Sequence, residues 1–203
     1  MRYISKRGNI KPVSGLKAIK MGMVPEGGLF VPQEIPSISL QQLGQWKNLS
    51  YALLAKNIFS LFLKEDFSDT EISRITQNVY NYDHFDSEDI TPVKCLDDEL
   101  FILELFHGPT GAFKDIALQI LPHILSGALQ KLSIDKQILI LVATSGDTGK
   151  AALEGFKDIP GIQIIVYYPF QKVSKIQELQ MLTTEGNNTH VIAIKGNFDD
   201  CQN

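Results

Sequence analysis

Cysteine is scarce in this chain of 203 residues, which holds only Cys95 and Cys201. Two isolated thiols provide neither a disulfide framework nor metal-ligand spacing, and they fit a reducing cytoplasm. The four histidines, His84, His107, His123 and His190, are scattered and add no metal site. No run of about 18 apolar residues occurs, so no segment reads as a membrane span. No apolar leader precedes a cleavage site. A basic excess is also missing: 19 Lys and Arg against 23 Asp and Glu leave a net charge of -4, which argues against a nucleic-acid partner. There is no G-x-S-x-G elbow and no Cys–His arrangement, so hydrolase chemistry has no support. Repeats and low-complexity tracts are absent too.

Charge departs from this balance in one place. Residues 1–20 carry Arg2, Lys6, Arg7, Lys11, Lys17 and Lys20 and no acid. A basic arm or transit peptide is one reading. Gly8, Pro12 and Gly15 break any long amphipathic helix, which favours a folded, solvated edge.

What is present is ordinary globular composition, 44% hydrophobic and 21% charged, with enough chain to bury a core. The first ninety residues read as mostly helical. "PEGGLFVPQEIP" (25–36) is rich in proline and glycine and reads as an ordered loop. Ser50 precedes a helix carrying Leu53, Leu54, Ile58, Leu61 and Phe62 on one stripe. Ser68 and Glu71 form a capping-box pattern ahead of Ile72, Ile75 and Val79. The polar stretch "NYDHFDSED" (81–89) marks the boundary between two domains, 1–90 and 91–203.

Beyond it the rhythm changes. "VKCLDDELFILELF" (93–106) predicts two short strands around Asp97–Asp98. A helix is expected from Asp115, with Pro122 interrupting it. "QILILVA" (137–143) is a continuous apolar run, read as a strand buried on both faces. "TSGDTG" follows, then a helix from about Lys150. "IQIIVYY" (162–168) and "THVIAI" (189–194) are further strands, separated by a helix that Ser174 and Gln177 would cap. This alternation predicts an α/β class with a parallel, right-handed layer. The last residues, "DDCQN", read as a helix that is cut off, as in part of a longer protein.

Two loops carry the chemistry. "FHGPTGAFKD" (106–115) leads Lys114 into apolar surroundings, where an ammonium loses hydration. The bland reading is a lysine at a helix start whose head reaches water. The functional one is an amine freed by desolvation to act as nucleophile or Schiff-base partner. His107 is near enough to matter, but a structural role is favoured. "ILVATSGDTGKAAL" (140–153) runs a strand through Thr144, Ser145, Gly146, Asp147 and Thr148 into a helix, pointing free N–H groups at one spot that suits an anion. It is not a nucleotide P-loop, because Thr144 stands where that pattern needs glycine and Ala151 where it needs Ser or Thr. A capping turn without a ligand remains open beside a carboxylate or phosphate site. Together, a reactive amine and an anion turn suit an enzyme acting on amino acids.

At these residues the chain resembles the threonine synthase family, pyridoxal-phosphate enzymes of the tryptophan-synthase-β group (fold type II). The likeness rests on "YISKRG" with "MVPEGGLFVPQEIP", on "ELFHGPTGAFKD", on "LVATSGDTGKAAL" and on "VYYPFQKVSKIQELQM", which span most of the chain in family order. The resemblance implies a helical N-terminal domain (1–90) and, in 91–203, the first part of the catalytic region with its small parallel-sheet unit, truncated. It implies that Lys114 holds pyridoxal 5'-phosphate as a Schiff base and that Phe113 flanks the cofactor. Asp147, where related enzymes have asparagine, should lie near the cofactor's phenolic oxygen. Thr144, Ser145, Gly146, Asp147 and Thr148 should bind the substrate carboxylate. Lys172, Ser174 and Gln177 match a segment on the substrate side, although a capping box accounts for Ser174 and Gln177 by itself.

The implied reaction turns O-phospho-L-homoserine and water into L-threonine and phosphate by γ-elimination and β-addition, with no metal, nucleic acid or membrane involved. Lys114 would be nucleophile and general base in turn. The family's glycine-rich loop for the cofactor phosphate and its partner for the ring nitrogen are not in these residues, so the activity is expected of the longer protein and the 203-residue piece is expected to be inactive. Related phospholyases share the lysine motif and yield keto acids. A non-enzymatic module is the third reading. Cysteine synthases and dehydratases share the anion turn but lack the "YISKRG" opening.

Overall fold

The computed structural model describes residues 1–203. They fall into two compact units, residues 1–81 with 127–134, and residues 82–126 with 135–203.

In the first unit, β1 (Arg2–Ser5), β2 (Val13–Ser14) and β3 (Phe30–Pro32) form an antiparallel sheet in the order β2-β1-β3. The "PEGGLFVPQEIP" segment is therefore not all loop. Pro32 pairs opposite Tyr3 on an edge strand, the place where a residue without an N–H is tolerated in a sheet. The basic residues of 1–20 are all exposed around this sheet and α1 (Gly15–Met21). Helices α2 (Leu40–Trp46), α3 (Tyr51–Leu63) and α4 (Asp69–Val79) follow.

Ser68 and Glu71 make the expected reciprocal capping box. Ser50 stands at the N-cap of α3, yet its side chain makes no capping hydrogen bond. The stripe expected on α3 is also displaced. Leu53 is exposed, and Ala52 and Leu63 are the buried positions, because this helix is apolar nearly all round and periodicity does not choose its face. Phe67, Ile72, Val79 and Tyr80 complete the core.

In the second unit, β4 (Val93–Cys95) and β5 (Phe101–Leu103) make an antiparallel hairpin. Asp97 Oδ1 accepts from the N–H groups of Glu99 and Leu100 at its turn. The helix expected from Asp115 is broken before Pro122 into α5 (Asp115–Leu118) and α6 (Leu121–Lys131). Then β6 (Ile138–Ala143), α7 (Asp147–Phe156), β7 (Ile162–Pro169), α8 (Lys175–Leu182), β8 (Thr189–Ile194) and α9 (Phe198–Gln202) alternate. The three strands are parallel in the order β6-β7-β8.

Central β7 is the buried strand, with Ile162, Ile164 and Val166 at most 1% exposed. The expectation that β6 is buried on both faces fails: Leu139 and Leu141 are 52% and 62% exposed. β6 is an edge strand, and its alternate leucines point to the uncovered face of the sheet. Helix α7 begins at Asp147, three residues before the expected start, so the second half of the "TSGDTG" loop is already helical.

Candidate functional site

The 106–115 loop is organised from within by Asp115, the first residue of α5. Its carboxylate is fully buried and accepts from the Thr110 N–H (2.9 Å), the Thr110 hydroxyl (2.9 Å) and the Gln119 amide (3.3 Å). Gly108 packs against the same carboxylate so closely that a Cβ there would lie 2.4 Å from Asp115 Cβ. His107 anchors the start of the loop. Its ring bridges Glu104 Oε2 (2.9 Å) and Asp86 Oδ1 (2.5 Å), and those two carboxylates raise its pKa. This supports the structural role.

Lys114 caps this loop at the entry to α5. It is half-buried rather than enclosed, and its Nζ lies 4.2 Å from the centroid of the exposed Phe113 ring, a cation–π distance. The amine makes no ion pair in the chain.

The second loop joins β6 to α7. Thr144 is 1% exposed, and its hydroxyl oxygen accepts from the N–H groups of Gly146 (3.0 Å) and Gly149 (2.9 Å). Its side chain shapes the turn from inside. Gly146 sits at φ +142°, a conformation that favours glycine. The N–H groups of Ser145, Asp147 and Thr148 find no acceptor in the chain. With the positive end of the α7 dipole, they form a donor cluster of the kind that binds carboxylate or phosphate.

Asp147 opens α7. Its carboxyl is held below the usual range, first by a hydrogen bond from Gln177 and then by Lys150, with a further contribution from the charge of Lys114. Burial opposes the shift. Among the groups that act on Asp147, the charge of Lys114 contributes least, and it is the link between the two loops. Of the substrate-side candidates, Ser174 and Gln177 form the capping box of α8. Lys172 is exposed and its side chain forms no ion pair or hydrogen bond. Sequence reasoning missed two participants. Asp115 carries no signal beyond an acid at a helix start, and Lys150, 8% exposed, reads as an ordinary helix lysine until it is found 3.2 Å from Asp147 Oδ1.

Comparison with known proteins agrees with this architecture. A family model described as the threonine synthase N terminus matches residues 2–80. Threonine synthase from Pseudomonas aeruginosa is 39% identical over 202 residues, covering 100% of this chain and 42% of the relative. The Schizosaccharomyces pombe threonine synthase is 37% identical, covering 98% of this chain and 40% of the relative. The crystal structure of the PLP-bound threonine synthase from Brucella melitensis superposes with a TM-score of 0.91 at 35% identity, covering all of this chain and 43% of that one. The chain thus spans about two fifths of the length of these relatives. From the sequence agreement across both units and the matching fold, the chain is similar throughout its length to the N-terminal portion of threonine synthases.

Proposed function

We propose that this chain contributes to a pyridoxal-phosphate-dependent threonine synthase, in which a protein of the relatives' full length converts O-phospho-L-homoserine and water to L-threonine and phosphate. Residues 1–90 would be its N-terminal domain and 91–203 the first part of its catalytic region. The observation that carries the reading is the pairing of an amine without an ion-pair partner, Lys114, with the unfilled N–H donors of Ser145, Asp147 and Thr148.

These residues fit the cofactor. Lys114 supplies the primary amine that an aldehyde requires, and the Phe113 ring beside it offers an apolar face for a flat heterocycle. When bound, pyridoxal phosphate draws electrons away from the substrate's α-carbon, which makes proton loss there accessible. Lys114 holds the cofactor at rest and, once released, takes the α-proton on Nζ. The N–H groups of Ser145, Asp147 and Thr148 hold the substrate carboxylate, which fixes the α-carbon within reach of that amine. Asp147 offers an anionic acceptor to the cofactor's phenolic side. Thr144 acts indirectly, by keeping the turn in shape.

The test is product analysis. A protein of the relatives' full length carrying residues 1–203, supplied with pyridoxal phosphate and O-phospho-L-homoserine, is expected to release threonine and phosphate in equal amounts. A keto acid in place of threonine would assign it to the phospholyases, and no turnover would remove the enzymatic reading.

A further inference from the structure

A loop that binds an anion has an electrostatic difficulty if it carries a carboxylate of its own. Asp147 sits in the middle of the Ser145–Thr148 donor cluster, and an incoming carboxylate or phosphate would meet its negative charge. The donors around its side chain compensate part of that charge and hold one oxygen away from the cluster. Oδ1 receives two donors, the Gln177 amide at 2.8 Å and the Lys150 ammonium at 3.2 Å. Oδ2 receives none from the chain. The two oxygens are therefore not equivalent: one is tied back toward α8 and the other is left for a ligand.

Gln177 has a second attachment. Its Oε1 accepts from the Ser174 N–H at 3.2 Å, completing the capping box of α8. One amide group thus joins the start of α8 to the anion loop, with both ends used. That assigns its orientation, because turning it over would set Oε1 against Asp147 Oδ1 and Nε2 against the Ser174 N–H. The side chain also lies across Gly146. A Cβ at that position would come within 2.4 Å of Gln177 Cδ, so the glycine's lack of a side chain makes room for the contact.

We propose that Gln177 is a positioning residue for Asp147, holding Oδ1 toward α8 and Lys150 and leaving Oδ2 to accept from a donor group of the ligand. The proposal deepens the function given above and takes the identity of the ligand from it, while the positioning itself stands on the hydrogen bonds. The charged groups acting on Asp147 are Lys150 on its own helix and Lys114 at the start of α5, and Gln177 is the neutral donor from α8.

The experiment separates capping from positioning. Gln177→Glu keeps an acceptor for the Ser174 N–H, so the capping box survives, but it replaces the donor to Asp147 with a second carboxylate. Gln177→Ala removes both contacts. The Asp147 carboxyl is titrated by NMR in the ligand-free chain, with melting temperature and the Ser174 amide resonance recorded alongside. Asp147 is expected to titrate at higher pH in both variants, further in Gln177→Glu, while Gln177→Glu melts close to the parent. An unchanged Asp147 titration in both variants overturns the proposal. If Gln177→Glu does not fold, Gln177→Ala decides by the same criterion. Capture of pyridoxal phosphate is measured separately in the full-length protein. Failure of the parent there removes the proposed function, and the titration still decides the role of Gln177.

Discussion

Asp115 holds Thr110 by two of its groups, accepting from both its N–H and its hydroxyl, and does so with no exposure to solvent. The carboxylate thereby takes the place of a secondary-structure partner for a loop with neither helix nor strand between Phe106 and Lys114. Removing it leaves the Thr110 N–H without its acceptor, at about 1–3 kcal/mol, while the Gln119 amide keeps the Ala151 carbonyl at 3.4 Å. Asp115→Ala is expected to lower stability by at least that amount, measured as a drop in the denaturant midpoint. Gly108→Ala tests the same contact from the other side. Its new Cβ would fall 2.4 Å from Asp115 Cβ, so the loop has to open to accept it.

Lys114→Ala is expected to leave the fold intact. The lysine is half-buried at a helix start, and the one contact its amine makes is with the exposed Phe113 ring. A cation–π contact at such a site is worth about 0.5–1 kcal/mol. The chemical consequence is large. Borohydride reduction with pyridoxal phosphate, in a protein of the relatives' full length, should label the parent at Lys114 and leave the variant unlabelled there. Equal labelling of a different lysine in both proteins would remove Lys114 from its proposed role.

The two loops could be read from composition: one leads a lysine through apolar residues, and the other joins a buried-type strand to a helix through glycines and hydroxyls. The parallel order of β6, β7 and β8 was legible for a related reason, since apolar runs of strand length alternate with helical segments. Other features left no local trace. The strands β1, β2 and β3 span two to four residues each, too short for a period of two to show. The exposure of Leu139 and Leu141 depends on β6 being an edge strand, and an apolar run does not reveal which face is covered. Asp147 and Gln177 meet across thirty positions of sequence, and the Ser174–Gln177 capping pattern hides the contact by explaining Gln177 locally.

Acid should weaken the first unit through Glu71. Its pKa is lowered to about 2, mainly by the hydrogen bond from Lys131 and then by those from Ser68. Because the folded value lies below the unfolded one, the stabilisation is fully present above the ordinary glutamate value of about 4.3 and is lost as pH falls toward about 2. Glu71 and Lys131 are each 32% exposed, so solvent screens the pair and its contribution at neutral pH is about 1 kcal/mol or less. Glu71→Gln keeps the capping box and removes the charge. The melting temperatures of parent and variant are expected to differ near neutrality and to converge through that acid window. A constant gap down to the lowest pH would show that the Lys131 pair does not set the Glu71 titration.

The sheet of the second unit makes a last, directly comparable prediction. Ile164 on β7 is 0% exposed, whereas Leu141 on β6 is 62% exposed. Truncating each to alanine removes a similar number of carbons, but only the first leaves a cavity. Ile164→Ala is expected to cost about 2–5 kcal/mol, the range for emptying a core site that cannot collapse fully. Leu141→Ala is expected to stay within about 0.5 kcal/mol of the parent, as exposed substitutions do. Urea unfolding of the two variants under identical conditions measures the difference. If both fall by similar, large amounts in a monomeric sample, β6 is buried on both faces in solution and its outer leucines are covered.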